Sequence, residues 1–402
     1  MGACAMGFGK AVPGLVVHNE DLEKLVQTDD EWIVTRTGIS SRHVSVNETM
    51  VDLAAAAAAE ALGMDVPSVP GANIDSAGVC PEPVDPASID LVVLTTITPD
   101  VLVPSNAAAL KRMLGLDSAV AFDVNAACTG FVYGVSVAES MMAASHAAGG
   151  GARNQYNRAL VVSSERLTRL TDWQDRNTCV LFGDGAGAMV LEWRDGEQGV
   201  MSSYLKNDDD DANSLTCRQS YSSPLPFDEN GVVYDEEAKA AHDARSDDPK
   251  VVDYSYIASL GLSCDPAAGR ADDLFDIDDR ASRGGPEQVI YMNGQKVFKF
   301  AAKAMENAVR QACERAGVAV QDVKAIVPHQ ANLRIIEFAA KRLDLPLDAF
   351  QVSIGHTGNT SSSCLPMALV DAISSGKVSH GDIVVLVAFG GGLTSGAAVV
   401  RL

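Results

Sequence analysis

Apolar runs of strand length alternate along most of this chain with segments whose apolar residues recur at helical spacing. Leu91 to Ile97 and Ala119 to Val124 are compact apolar runs of the buried-strand type, and Arg158 to Ser164 and Ala186 to Trp193 are two more. Between them Val51 to Leu62, Asn106 to Leu114 and Gly130 to Ala144 predict helices. After a long polar stretch the rhythm returns. It predicts helices over Gln295 to Ala316, Leu333 to Leu343 and Ser361 to Ser374, and strands over Ala325 to Val327, Ile383 to Phe389 and Ala397 to Leu402. Alternation of this kind predicts an α/β protein with helices covering mixed sheets.

Two glycine-rich strings echo each other across the halves. Phe182-Gly183-Asp184-Gly185-Ala186-Gly187-Ala188 and Phe389-Gly390-Gly391-Gly392-Leu393-Thr394-Ser395-Gly396-Ala397 each leave one β run and enter another. The echo predicts a duplicated α/β unit, a chance match of two glycine-rich turns being the alternative, with 1–206 as the N-terminal half, 286–402 as the C-terminal half and 207–285 as an insertion. The insertion carries 19 acidic and seven basic residues, more than half of the net charge of −22, and reads as a solvated excursion. Met64 to Ser88, rich in Pro and Gly, is expected to be a surface loop.

Composition excludes several classes. With 47% hydrophobic and 21% charged residues over 402 positions, the chain has enough apolar surface to form a core. A net charge of −22 opposes binding to a phosphate backbone, so no nucleic-acid partner is expected. Apolar runs stay below the ~18 to 20 residues of a membrane helix, so no membrane partner is expected either. Met1 to Gly14 lacks the pattern of a secretory leader, and Met6 stands where a myristoylation signal has Ser or Thr. The eight cysteines form no CxxC pair, which fits reduced thiols in a cytoplasm and no metal site.

Three places can carry chemistry. Cys128, in Asp123-Val124-Asn125-Ala126-Ala127-Cys128-Thr129-Gly130-Phe131, follows a strand and opens a helix. Exposed N–H groups and the helix dipole there lower a thiol pKa; a small buried core thiol is the alternative. His329 follows Ala325-Ile326-Val327-Pro328, at a strand's carboxyl end where side chains project into ligand crevices, or else it is a satisfied structural histidine. Asn359 lies in Gly355-His356-Thr357-Gly358-Asn359-Thr360-Ser361-Ser362-Ser363, which also suits a turn and a helix cap.

Taken in order, DVNAACTGF, VPHQANLRII, GHTGNTSSS and AFGGGLTSG resemble the β-ketoacyl-acyl-carrier-protein synthase III family of thiolase-like condensing enzymes, as do Asp30 to Ile39 and Leu181 to Ala188. The resemblance implies a duplicated thiolase-like five-layer α-β-α-β-α fold and a triad of Cys128, His329 and Asn359. Cys128 would accept an acyl group from acyl-CoA. His329 and Asn359 would stabilise the malonyl enolate, and the N–H groups of Cys128 and Gly391 would form an oxyanion hole. No metal and no cofactor is implied, acyl-CoA being a substrate. Trp32, Arg36 and Arg176 are assigned to CoA, the arginines alternatively being surface partners of Asp30 and Asp175. Lys299, Arg334, Lys341 and Arg342 are assigned to carrier-protein docking, Lys341 and Arg342 alternatively completing a helix C-terminus.

The implied activity initiates fatty acid biosynthesis by a decarboxylating Claisen condensation of acyl-CoA with malonyl-acyl-carrier protein. A condensing enzyme of specialised, polyketide-like metabolism and a noncatalytic binding protein on the same scaffold are the alternatives. A homodimer is also implied, with the loop Thr98 to Pro104 crossing to the partner, and with Val103 and Phe389 shaping the acyl pocket. The length of 207–285 departs from the family pattern.

Overall fold

Small residues dominate Gly2–Pro13, yet this segment is the longest described strand, β1. In chain order there follow α1 (Asp30–Thr37), α2 (Met50–Leu62), β2 (Ile74–Val79), β3 (Leu91–Thr95), α3 (Asn106–Met113), β4 (Val120–Val124) and α4 (Gly130–Ala147). Next come β5 (Arg158–Arg166), β6 (Asp184–Arg194) and β7 (Val200–Asn207). The C-terminal part supplies α5 (Gly294–Ala316), β8 (Ala325–Pro328), α6 (Leu333–Leu343), α7 (Cys364–Ser374), β9 (Ile383–Gly390) and β10 (Thr394–Arg401). The computed structural model describes residues 2–147, 155–196, 199–210, 213–217, 227–228, 231–232 and 289–402.

Two sheets organise the main unit, Met1–Thr216 with Val289–Leu402. The first has the order β2-β1-β6-β5-β3-β4, with β3 parallel to both β4 and β5 and the remaining pairs antiparallel. The second has the order β8-β9-β10-β7, with β8 parallel to β9. Strand side chains alternate between faces, and the core shows it. Leu91 and Val93 of β3 share one cluster with Phe131, Val135 and Met142 of α4, Leu365 and Leu369 of α7, and Leu386 and Val400 of the second sheet. Val92 and Leu94 face the other way, onto α2 and α3. Val385, Val387 and Val399 turn to α5 and α6. The layers are therefore α2/α3, first sheet, α4/α7, second sheet and α5/α6: the five-layer α-β-α-β-α fold that the resemblance implied.

Three features go beyond what the sequence pattern predicts. Met64 to Ser88 is not wholly loop, because Ile74–Val79 forms β2 and pairs antiparallel with β1; its half-buried, mixed sequence carries no strand pattern of its own. The strand character of Gly2–Pro13 was likewise hidden by its Gly and Ala residues. They serve a close approach: a Cβ on Gly9 would meet the Ala57 carbonyl of α2 at 2.0 Å, and Ala54 to Ala59 on that helix are all buried. The third concerns the insertion. The main unit continues through Thr216 and resumes at Val289, so the described residues 208–210 and 213–216 belong with it: Asp208 N donates to Leu393 O at 2.8 Å, and Asn293 N donates to Ser214 O at 2.8 Å. In the second unit, Cys217–Gln288, a short antiparallel pairing of Phe227–Asp228 with Gly231–Val232 is described. The rest of the acidic block lies outside the described residues.

Candidate functional site

Cys128 sits in the tight turn Ala127–Thr129 between β4 and α4. Ala127 adopts the left-handed region, φ 48°, which an L-residue occupies only where its surroundings hold it there. Against it packs the last residue of β9. A Cβ on Gly390 would lie 2.7 Å from Cys128 N and 3.2 Å from Ala127 Cβ, so only glycine lets this backbone meet the nucleophile's turn. Gly391 follows in the turn after β9, and a Cβ there would come 3.0 Å from Leu215 O. Thr129 Oγ1 donates to Thr394 Oγ1 at 3.0 Å, tying the base of α4 to β10.

The loop before α7 gathers the other residues. Asn359 is held by backbone bonds on both sides: its N donates to Leu181 O at 2.8 Å, and its O accepts from Gly183 N at 3.0 Å. Thus the first of the echoing glycine strings positions Asn359, while the second abuts Cys128. Asn359 Oδ1 accepts from Ser361 N at 2.9 Å, which leaves the Nδ2 amide as its donor end. Ser361 Oγ donates to Cys128 Sγ at 3.4 Å, so one residue links the thiol to Asn359. His329, at the end of β8, anchors through its N–H to Val387 O at 2.7 Å. Its Nδ1 lies 3.0 Å from Cys364 Sγ at the start of α7, and its ring meets the edge of Phe389 at 5.1 Å between centroids.

Burial governs the protonation states. It pushes the Cys128 thiol up to about 12, against smaller lowering contributions from the Ser361 hydroxyl and Cys128's own N–H. The lowering expected at a helix start does not prevail, because burial of the sulfur outweighs the hydrogen bonds it receives and the Glu165 carboxylate adds to the rise. The residue as a whole keeps some accessible surface. Burial also depresses His329 to about 3, leaving a neutral imidazole at neutral pH.

Three residues of this site carried no signal strong enough to single out. Ser361 and Cys364 belong to a serine-rich string that reads as a turn and cap. Glu165 ends an apolar strand run, and a carboxylate there was the available clue. Fully buried, Glu165 accepts from Ile97 N at 3.0 Å and Thr98 Oγ1 at 2.8 Å on one oxygen, and from Ser362 Oγ at 3.1 Å on the other. Burial raises it to about 7.

Away from this centre, α1 presents Trp32, with the Arg36 guanidinium 4.4 Å and that of Arg176 4.6 Å from its ring centroid. Arg176 also donates to Gln27 O at 3.0 Å and lines a cleft of about 570 Å³ with Leu25, Val26, Gln27 and Gln174. Asp175 instead caps the short helix after it through Asn177 N at 2.9 Å. Lys299, Arg334, Lys341 and Arg342 are all exposed, on α5 and α6. Arg342 is engaged by Glu306 at 2.5 Å. Phe389 is buried in the second sheet's outer core beside His329, whereas Val103 is 86% exposed beside Val101 and Leu102, which are also exposed. Among the described residues no group of His, Cys, Asp and Glu is arranged to hold a metal ion, and no helix is long and apolar enough to cross a membrane.

Comparison with known proteins adds to this geometry. Residues 122–209 match the family model for 3-oxoacyl-[acyl-carrier-protein] synthase III, and residues 313–402 match the model for its C-terminal part. The β-ketoacyl-[acyl-carrier-protein] synthase III of Clostridium perfringens is 35% identical over 397 residues, 99% of this chain and 98% of that protein. The crystal structure of the synthase III from Thermus thermophilus superposes with a TM-score of 0.73 at 32% identity, covering 99% of each chain. A priming β-ketosynthase from a polyketide biosynthetic pathway superposes equally, at 0.73 and 30% identity over 99% of this chain and 96% of that one. With whole-length identity of this order and the same layered fold, the chain belongs to the β-ketoacyl-[acyl-carrier-protein] synthase III family.

Proposed function

We propose that this protein is the condensing acyltransferase that starts fatty acid synthesis, joining acyl-CoA to malonyl-acyl-carrier protein. One observation carries the residue-level reading: a thiol on a strained turn, linked by Ser361 to Asn359 and faced by the Gly390-Gly391 turn. In the first half-reaction the Cys128 sulfur attacks the thioester carbon, the C–S bond to CoA breaks, and CoA leaves as the thiol with the proton. N–H groups of Cys128 and Gly391 take the oxyanion of the tetrahedral intermediate. In the second, the malonyl thioester loses carbon dioxide. The electron pair left behind forms an enolate, which accepts hydrogen bonds from His329 Nε2–H and Asn359 Nδ2–H. A neutral histidine suits this role, as a donor that does not itself surrender its proton. The enolate carbon then attacks the Cys128 thioester, releasing the thiolate and the 3-oxoacyl carrier protein.

Trp32, Arg36 and Arg176 hold the adenine and phosphates of CoA in this reading, supported by the two guanidinium groups gathered at one indole. Lys299, Arg334 and Lys341, with Arg342 partly neutralised by Glu306, receive the acidic carrier protein. The exposed run Val101 to Val103 supports pairing with a second copy of the chain. Unpaired thiols at Cys80, Cys128, Cys179, Cys313 and Cys364 support a reducing cytoplasm.

Mass spectrometry after incubation with acetyl-CoA tests the assignment. A single acyl adduct on Cys128, absent in Cys128→Ala, is expected; an adduct on another cysteine overturns it. The polyketide-pathway neighbour keeps a second reading, a specialised primer, and a panel of acyl-CoA primers separates the two.

A further inference from the structure

The His329 side chain has a partner that the reaction scheme does not use. Cys364 Sγ lies 3.0 Å from His329 Nδ1, and the same sulfur accepts the backbone N–H of Gln330 at 3.3 Å. Among the described residues these are the two hydrogen-bond contacts of that sulfur. Both residues are buried, each 1% exposed.

A neutral imidazole carries one N–H, and which nitrogen bears it is set by what the other nitrogen meets. Burial keeps His329 neutral and holds the Cys364 thiol well above the ordinary thiol range, so both groups are uncharged at neutral pH. The sulfur already accepts from Gln330. If Nδ1–H also donated to it, the S–H proton would have no acceptor, at the cost of an unmade buried bond. If S–H donates to Nδ1, the thiol proton and the Nδ1 lone pair satisfy each other while the sulfur still accepts from Gln330, and the one donor left over faces the substrate site. Nε2 then carries the ring proton.

We propose that Cys364 is a positioning residue whose S–H, donated to His329 Nδ1, fixes the imidazole as the Nε2–H tautomer. The inference rests on the reading of His329 as a donor to the malonyl enolate, and it explains why that donor is always present. The edge contact with Phe389 fixes the ring's tilt, and Cys364 fixes its proton. Because Ser361 and Cys364 stand on the same short segment, one loop positions Cys128, Asn359 and His329 together.

Nitrogen NMR of histidine-labelled protein, with His329→Ala assigning the signal, tests the tautomer directly. The wild type should show His329 Nε2 protonated and Nδ1 bare. Cys364→Ala should show a mixture, slow malonyl decarboxylation about tenfold or more, up to the ~100- to 1000-fold of a lost oxyanion donor, and leave acylation of Cys128 unchanged. Cys364→Ser, which keeps a donor, should restore both the spectrum and the rate. A protonated Nδ1 in the wild type overturns the proposal even if Cys364→Ala does not fold. So does an unchanged tautomer and rate in Cys364→Ala. Full decarboxylation by His329→Ala would instead defeat the functional reading, while the spectrum would still report on the tautomer.

Discussion

Gly390→Ala adds one methyl group where the site has no room for it. The new Cβ would stand 2.7 Å from Cys128 N and 3.2 Å from both Ala127 Cβ and Cys128 Cβ, while ordinary contact begins at 3.4 Å. The nearest atom is backbone, so no rotamer change relieves the clash; the two turns must separate by roughly 0.7 Å, on the scale of the 1 Å misplacement that costs ~100-fold in rate. Neither side yields freely. Ala127 is already at φ 48°, and Thr129 is tied to Thr394. Gly390 is not among the residues at positive φ, so the perturbation is steric and not conformational. Overpacking of this kind costs about 1–3 kcal/mol, and the displaced thiol should be acylated by acetyl-CoA tens of times more slowly. Gly294→Ala is the control, with nothing within 4 Å of its Cβ position. Acylation is followed by mass spectrometry and stability by urea denaturation. Wild-type values of both in Gly390→Ala would refute the argument that this turn sets the nucleophile's place.

Three other outcomes are expected. Glu165 has a folded-state pKa raised from 4.5 to about 7, equivalent to about 3 kcal/mol. Its contribution to stability is complete below about pH 4.5 and is lost as the pH rises through about 7, so Glu165→Gln should flatten that fall in denaturation curves; an unchanged slope would mean the carboxylate is accommodated without cost. Trp32→Ala should remove ~1–3 kcal/mol of base stacking, raising the KM for acyl-CoA roughly ten- to a hundredfold while sparing an acyl thioester without the nucleotide; equal losses on both would reassign Trp32 to the fold. Deleting 219–286 should preserve Cys128 acylation, whereas a deletion starting at 208 should impair it, because it removes the Leu215 carbonyl behind Gly391. Equal activity of the two deletion proteins, by the same acylation assay, would show that 208–216 is dispensable.

The layered architecture was legible because β3 and β9 are continuous apolar strands, β5 opens with an apolar run, and α4 and α7 are apolar enough to lie between two sheets. Burial on both faces imposes that composition. β1 and β2 were not legible: one is built of Gly and Ala to admit α2, and the other gains strand form by pairing with β1. Both depend on a neighbour that local pattern does not contain. Cys128, His329 and Asn359 stood out because each sits where a strand or turn meets a helix, and because their strings occur together in one order.

What linear order determined was therefore the chemistry available and the elements that carry it: a thiol, an imidazole and an amide at the ends of predictable elements. What the tertiary structure alone decided was their condition. The Cys128 thiol is raised to about 12 and not lowered, since desolvation depends on atoms brought from β9 and the 359–364 loop. Likewise Ser361, Cys364 and Glu165 acquire their partners across separations of 35 to 233 residues. Hydrogen bonds and burial act through space over a few ångströms, so the protonation and orientation of each group are set only when the two sheets close on the helices between them.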